Sequence, residues 1–276
     1  MSRSVAANMA YVQQLFQQTQ QFMATQPALE ELLAHLETEP AQFRSIAFES
    51  ASVSLARLGM SQWENFFISE GYKHLFHVDI GLGWAYAQTG AFFRIPSGPY
   101  RSLRHRMLCD GMGYYFALYR GRKTIKSQQY PTELDPHHHT GFDQGVGRRL
   151  WYTAQGEPER LRQLLFPFST SRHPDLWRGV GIACGYVGGT DEELLPKLLP
   201  LAGSHLPQLK TGIALACLSR YFSDSVSQEI RSVCESICKM TFREICQLVP
   251  SKLNAASADA LLELSDWIPQ FDTFFA

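Results

Sequence analysis

The sequence predicts an all-α protein, a repeat-built curved stack of antiparallel helix pairs or a toroid closed from one. Three observations carry that expectation. A small-x-small triplet recurs six times, as Ser50-Ala51-Ser52, Gly81-Leu82-Gly83, Gly111-Met112-Gly113, Gly145-Val146-Gly147, Gly179-Val180-Gly181 and Gly212-Ile213-Ala214. The spacing between successive triplets is nearly constant at about 30–34 residues, the length of a helix-pair repeat. Second, a further small residue follows four positions on in Gly81/Ala85, Gly113/Ala117, Gly179/Ala183, Gly181/Gly185 and Gly212/Ala216. Such pairs make a bare stripe on one helix face. Glycine costs a helix up to ~1 kcal/mol against alanine, so a repeated stripe predicts close approach of neighbouring backbones. Third, 276 residues with 45% apolar and 18% charged side chains can bury a large core.

The elements run in order. Residues 1–40 read as an N-terminal helical extension: a Gln-rich amphipathic helix through Tyr11, Leu15 and Phe22, then a second helix around Leu29–Leu36. No linker divides the remainder, so residues 41–276 are expected to form one helical-repeat domain. Ile95-Pro96-Ser97-Gly98-Pro99 is a loop. Lys123 to Thr140, with Pro131, Pro136 and three adjacent histidines, is expected to be an irregular insertion. Glu157-Pro158-Glu159 gives favourable first-turn chemistry to a helix ending at Leu165. Asp175 to Tyr186 is a helix stopped by Gly188-Gly189. Thr190 caps an acidic first turn before a short helix interrupted by Pro196 and Pro200. Ser225 to Leu248 reads as one helix, with Val226, Ile230, Val233, Ile237, Met240 and Ile245 near the helical period.

Composition excludes several function classes. A formal net charge of −1 gives no electrostatic footprint for nucleic acid. No apolar run reaches the ~18 residues of a membrane span, and Gln13, Gln14, Gln17, Gln18, Gln20 and Gln21 interrupt any secretory signal. A cytoplasmic location is expected, with the six cysteines reduced and mostly core. Cys234, Cys238 and Cys246 share a helix face but form no CxxC pair. His137, His138 and His139 are too close in sequence to converge on one ion, and His74 and His77 lack a third ligand, so they read as core or capping residues. No metal is expected, and the absence of nucleotide-loop, HExxH and GxSxG motifs leaves no cofactor expected.

The candidate catalytic residues are acids that precede the triplets. Glu49 and Asp110 stand immediately before theirs, and Asp79 and Asp143 stand two before theirs, so a double-length unit is superposed on the single one. On the inner side of a curved stack, up to four carboxyls would converge, and burial with like-charge crowding would suit one for general acid work. The plainer reading makes them helix caps. Trp84, Tyr86, Tyr114, Tyr115, Trp151 and Trp177 follow the acids and are candidate substrate-binding residues in an apolar cavity, or simply core. Arg148 and Arg149 would orient a polar end. Arg101, Arg104 and Arg106 offer a basic patch for an acidic partner such as an acyl carrier protein, unless they are an ordinary solvated face.

The stretches FRSIAFESASVSLARL (43–58), HVDIGLGWAYA (77–87), CDGMGYYFALY (109–119), GFDQGVGRRLWY (141–152) and DLWRGVGIACGYVGG (175–189), and more weakly KTGIALACLSR (210–220), resemble a family of bacterial proteins encoded in enediyne polyketide gene clusters. The resemblance covers about residues 40–220 and includes Glu49, Asp79, Asp110, Asp143, Arg148 and Trp177. It implies a role in making or tailoring a polyunsaturated polyketide, without naming a reaction. The expected function is therefore action on a long apolar polyene or isoprenoid-like chain in an aromatic-lined cavity, by acid-catalysed cyclisation or isomerisation. A non-catalytic polyene or lipid carrier is the alternative, and a helical-repeat scaffold for a carrier protein is the third.

Overall fold

The computed structural model describes residues 4–95, 97–98, 102–188, 195–248 and 267–276. Among them every regular element is helical and no strand occurs. In chain order the α-helices are α1 (Val5–Met23), α2 (Leu29–Glu37), α3 (Ala41–Leu58), α4 (Met60–Ser69), α5 (Leu75–Thr89), α6 (Leu103–Tyr119), α7 (His139–Ala154), α8 (Pro158–Leu165), α9 (His173–Val187), α10 (Leu195–Ala202), α11 (Leu206–Phe222), α12 (Gln228–Val233), α13 (Phe242–Gln247) and α14 (Trp267–Phe275). Among the described residues no helix is long and apolar enough to cross a membrane. The Pro96 and Pro99 positions of the predicted loop, Arg101, Gly189 and the cap at Thr190 lie outside the described residues.

The six triplets fall on α3, α5, α6, α7, α9 and α11, and each of these helices packs on the next. The contact repeats with fixed register. A Cβ added to the first glycine of a triplet would stand 1.8–2.3 Å from the carbonyl oxygen of the residue just before the preceding triplet: Gly81 on Glu49, Gly111 on Ile80, Gly145 on Asp110, Gly179 on Gln144, Gly212 on Arg178. A Cβ on the second glycine would meet, at 1.9–2.0 Å, a carbonyl three residues before the following triplet: Gly83 on Leu108, Gly113 on Phe142, Gly147 on Leu176, Gly181 on Leu209. Only glycine allows main chain against main chain at these distances, which explains a residue so poor for helix propensity. Along each pair the two contacts run in opposite chain directions.

Each triplet lies on one long helix, and the expected second helix is present between three of the five successive triplet helices. The shorter helices α4, α8 and α10 lie in three of the connections, and the described residues of the other two hold one-turn 3₁₀ or π segments. Lys123 to Thr140 includes a π turn at Arg122–Lys126 and a 3₁₀ turn at Pro136–His138, and His139 already begins α7. The predicted helix Ser225–Leu248 is broken. Lys239 takes a left-handed φ of 59° after a π turn, and Thr241 then opens α13 through a capping box with Glu244. The Thr-x-x-Glu signal was present in the sequence, but the apolar period ran through it.

Two devices draw the ends of the chain onto the stack. The first is Arg220 of α11, which is fully buried and, among the described residues, has no carboxylate in ion-pair contact. It donates to Gly185 O (2.9 Å), Tyr186 O (3.1 Å), Ser225 O (2.8 Å) and Gln42 O (2.9 Å), and lies over the Tyr186 ring. Carbonyl dipoles replace the lost hydration of the guanidinium, and the Gln42 contact ties the last triplet helix to the start of the first. The second is α1. Gln20 Nε2 donates to Ser50 O (2.6 Å), Ser50 Oγ to Phe16 O (2.8 Å), and buried Asn8 Nδ2 to Val187 O (3.0 Å), so α1 lies on α3 and reaches α9.

Candidate functional site

Helix α1, laid against the stack, closes one wall of a cavity of about 330 Å³. Val12 and Phe16 of α1, Ile46 of α3, Trp84 of α5 and Leu118 of α6 form its apolar lining. Phe16 stacks on Trp84 at 4.9 Å, and Trp84 meets Tyr114 at 5.5 Å. The polar lining comes from Glu49 of α3, Tyr114 of α6, and Arg148, Arg149 and Tyr152 of α7. Gln13, Gln17 and Tyr119 complete it on the solvent side, where all three are exposed. The volume lies at the lower end of small-molecule sites and equals about eleven water volumes, room for about ten non-hydrogen atoms.

The polar groups are arranged in pairs. Glu49 Oε2 stands 2.6 Å from His77 Nδ1, and both side chains are buried. The His77 ring meets the Tyr186 ring edge-on at 4.5 Å, and its Nε2 has no hydrogen-bond partner among the described residues. Arg148 Nε stands 2.7 Å from Asp110 Oδ1, while Gln144 Nε2 donates to Asp110 Oδ2 at 2.7 Å. Burial opposes the charge on Arg148, yet Asp110 and then Glu49 hold its pKa above the usual guanidinium value, so it stays protonated. Its Nη2 finds no acceptor among the described residues, and its guanidinium lies 4.9 Å from the Tyr114 ring centre. Burial raises the phenol pKa of Tyr114 and, more strongly, of Tyr152, keeping both as neutral hydroxyls.

The predicted acids divide. Glu49 is on the cavity wall and Asp110 stands behind Arg148. Asp79 and Asp143 are outside the lining and each is held by an arginine. Arg104 donates to both oxygens of Asp79, at 2.8 and 2.9 Å. Arg172 Nε (2.9 Å) and Tyr130 Oη (2.6 Å) donate to Asp143 Oδ2, and Arg172 Nη2 donates to its Oδ1. These two pairs are equivalent, since Arg104 and Arg172 each stand seven residues before a triplet. The difference lies in one residue of register: a step along a helix turns a side chain by about 100°.

Of the predicted substrate-binding residues, Trp84, Tyr114, Arg148 and Arg149 line the cavity; Tyr86, Tyr115, Trp151 and Trp177 do not. Tyr86 Oη faces Met60 Sδ at 3.8 Å, Tyr115 packs on Tyr119, and Trp151 and Trp177 are buried core. The proposed basic docking patch is internally committed where it is described. Arg104 holds Asp79, and Arg106 is buried on Gln144 Oε1 (2.9 Å), Thr140 Oγ1 (3.2 Å) and Asp175 Oδ1 (2.7 Å).

Sequence reasoning read His77 as a core or capping residue and missed the wall supplied by α1. For His77 a signal existed: it stands one helical turn before Gly81, the glycine seated on the Glu49 carbonyl, so the repeat register brings the two together. Nothing comparable announces α1, whose placement depends on hydrogen bonds far apart in sequence. No curated protein and no solved structure matches this chain. A family description, Protein of unknown function (DUF1702), matches residues 2–267, including the Gln-rich head that the stretches resembling enediyne-cluster proteins leave out. The match spans nearly the whole sequence, and the chain belongs to that family.

Proposed function

We propose that the chain binds a small unsaturated, largely apolar molecule, or the unsaturated end of a longer polyene or isoprenoid-like chain, and transforms it by acid catalysis. The observation that carries this reading is the carboxyl of Glu49, buried on the wall of an aromatic-lined cavity and held by His77 at 2.6 Å. A carboxyl on the wall of such a pocket, beside an alkene, can transfer a proton to one carbon of the double bond. A C–H bond forms, the π pair is consumed, and the neighbouring carbon becomes cationic beside the rings of Trp84 and Tyr114. Loss of a proton from an adjacent carbon to the Glu49 carboxylate gives the shifted alkene; where a second double bond first attacks the cation, its π pair forms the new C–C bond, the cation moves to that bond's far carbon, and proton loss beside it gives the ring-closed alkene. Isomerisation and cyclisation of this kind need no co-reactant. The biosynthetic setting we propose is the making or tailoring of a polyunsaturated polyketide, as the resemblance to enediyne-cluster proteins suggests.

The test begins with protein purified from a host that makes the precursor, followed by an absorbance scan, solvent extraction and mass spectrometry. A bound conjugated or terpenoid molecule is expected. Glu49→Gln should then keep that molecule bound and lower its turnover by about 10²–10⁴-fold. Full turnover in Glu49→Gln overturns the catalytic reading. A carrier function shares the pocket and is favoured by the cover that α1 places over it; it predicts uptake without conversion by either protein.

A further inference from the structure

The cavity has a polar side whose chemistry points to one kind of ligand head group. Two adjacent guanidinium groups, Arg148 and Arg149, line it from α7. The carboxyl groups around them are already engaged. Asp110 is ion-paired with Arg148 Nε at 2.7 Å without hydrogen-bond geometry and accepts from the Gln144 amide, and Glu49 is paired with His77. Among the described residues no carboxylate lies within ion-pair distance of Arg149. Arg148 is more than nine-tenths buried and its Nη2 has no acceptor among the described residues, a position in which a guanidinium N–H is costly to leave unmet. The phenols of Tyr114 and Tyr152 stand on the same side, and Phe16, Ile46, Trp84 and Leu118 supply the apolar remainder.

We propose that the molecule taken by this pocket is a carboxylate: a short unsaturated acid, or the acid end of a longer one. Its carboxylate is held by Arg149 and the unmet N–H of Arg148, and its apolar body lies along Trp84 and Phe16. The proposal rests on the reading that the cavity binds an unsaturated apolar molecule, and it adds the charge of the head group. Planar guanidinium and carboxylate match in geometry, and such charge-assisted hydrogen bonds are about twice as strong as neutral ones.

The experiment compares two probes of equal length that fit the cavity, 2,4-hexadienoate and 2,4-hexadien-1-ol, at about pH 7.5, where a carboxylic acid is ionised. Binding is read by isothermal calorimetry and by quenching of tryptophan fluorescence with the whole chain. The acid is expected to bind about tenfold or more tightly than the alcohol. In Arg149→Gln, a substitution at a partly exposed site, the ratio of the two probes' affinities should shrink to about twofold. Equal binding of the two probes, or preference for the alcohol, overturns the carboxylate assignment and leaves the apolar pocket standing. Failure of both probes to bind overturns the pocket reading itself, and the assignment with it. An acid preference that survives in Arg149→Gln and also in Arg148→Lys, with both variants folded by circular dichroism, overturns the assignment as well.

Discussion

Gly145→Ala puts the helix–helix contact to its hardest test. The new Cβ would stand 1.8 Å from Asp110 O, 2.7 Å from Asp110 C and 2.8 Å from Tyr114 N, all main-chain atoms of α6. Real Cβ contacts essentially never fall below 3.0 Å, so α6 and α7 must move apart until the 1.8 Å gap widens at least that far. No rotamer change relieves main-chain overlap. Overpacking in a core costs ~1–3 kcal/mol and more when backbone must move; the better helix propensity of alanine returns at most ~1 kcal/mol. The expected net loss is ~2 kcal/mol, which for a chain of this size lowers Tm by about 4–8 °C. Gly121→Ala is the control: its Cβ would meet only Ile125 Cδ1, at 3.7 Å, so Tm should hold or rise by a few degrees. Both are measured by thermal melts followed by circular dichroism. If the two variants melt together, the glycines do not set the helix spacing and the packing argument is wrong.

Other expectations follow from buried charges. Arg220→Met leaves four main-chain carbonyls without their donor and should lower stability by ~3–5 kcal/mol, seen as a shift of the urea midpoint; a loss under ~1 kcal/mol would show that water replaces the side chain. Asp143→Asn strands buried Arg172 and should cost ~3–5 kcal/mol in the same assay. After correction for the folded fraction, its binding of 2,4-hexadienoate should match the parent, and a large loss of affinity would bring Asp143 back into the site. His74 stacks on Phe48 and contacts Ser45 Oγ at 2.9 Å. Burial, with the charges of His77, Arg44 and Lys73, lowers its pKa from 6.5 to about 3. The neutral imidazole therefore favours folding fully above pH 6.5, and that contribution is lost as pH falls toward 3. Relative to His74→Gln, the parent should lose at most ~1.4 kcal/mol per pH unit across that window; parallel pH curves would contradict the assignment.

Fold class was legible because the glycine pattern has one physical use in helices, close main-chain approach, and it recurs at near-constant spacing. The content of each repeat was less legible. The triplet period is long enough for two helices, but proline and polar turns in the connections leave a second helix only in part of the stack. The site was half legible. Glu49 and Asp79 look equivalent as acids near a triplet, and only the register of one residue separates a cavity wall from an arginine pair. Arg104 and Arg106 looked like a surface patch because sequence shows a cluster of cations but not the carboxylates brought to it from α5 and α9. The wall from α1 was hidden for a similar reason, since Gln20 and Asn8 find their acceptors 30 and 179 residues away.

The meeting of glycine and carbonyl has an evolutionary consequence. Spacing between neighbouring helices is set by main-chain atoms, so the side chains that line the cavity contribute little to holding the frame apart. Ile46, Trp84, Leu118, Arg149 and Tyr152 can therefore change in size or charge without loss of the frame that presents them. Selection acting on such a chain can retune what the interior accepts one residue at a time, keeping the triplets while the lining diverges. Relatives with identical triplet spacing and different linings are then expected to handle different molecules on one shared frame.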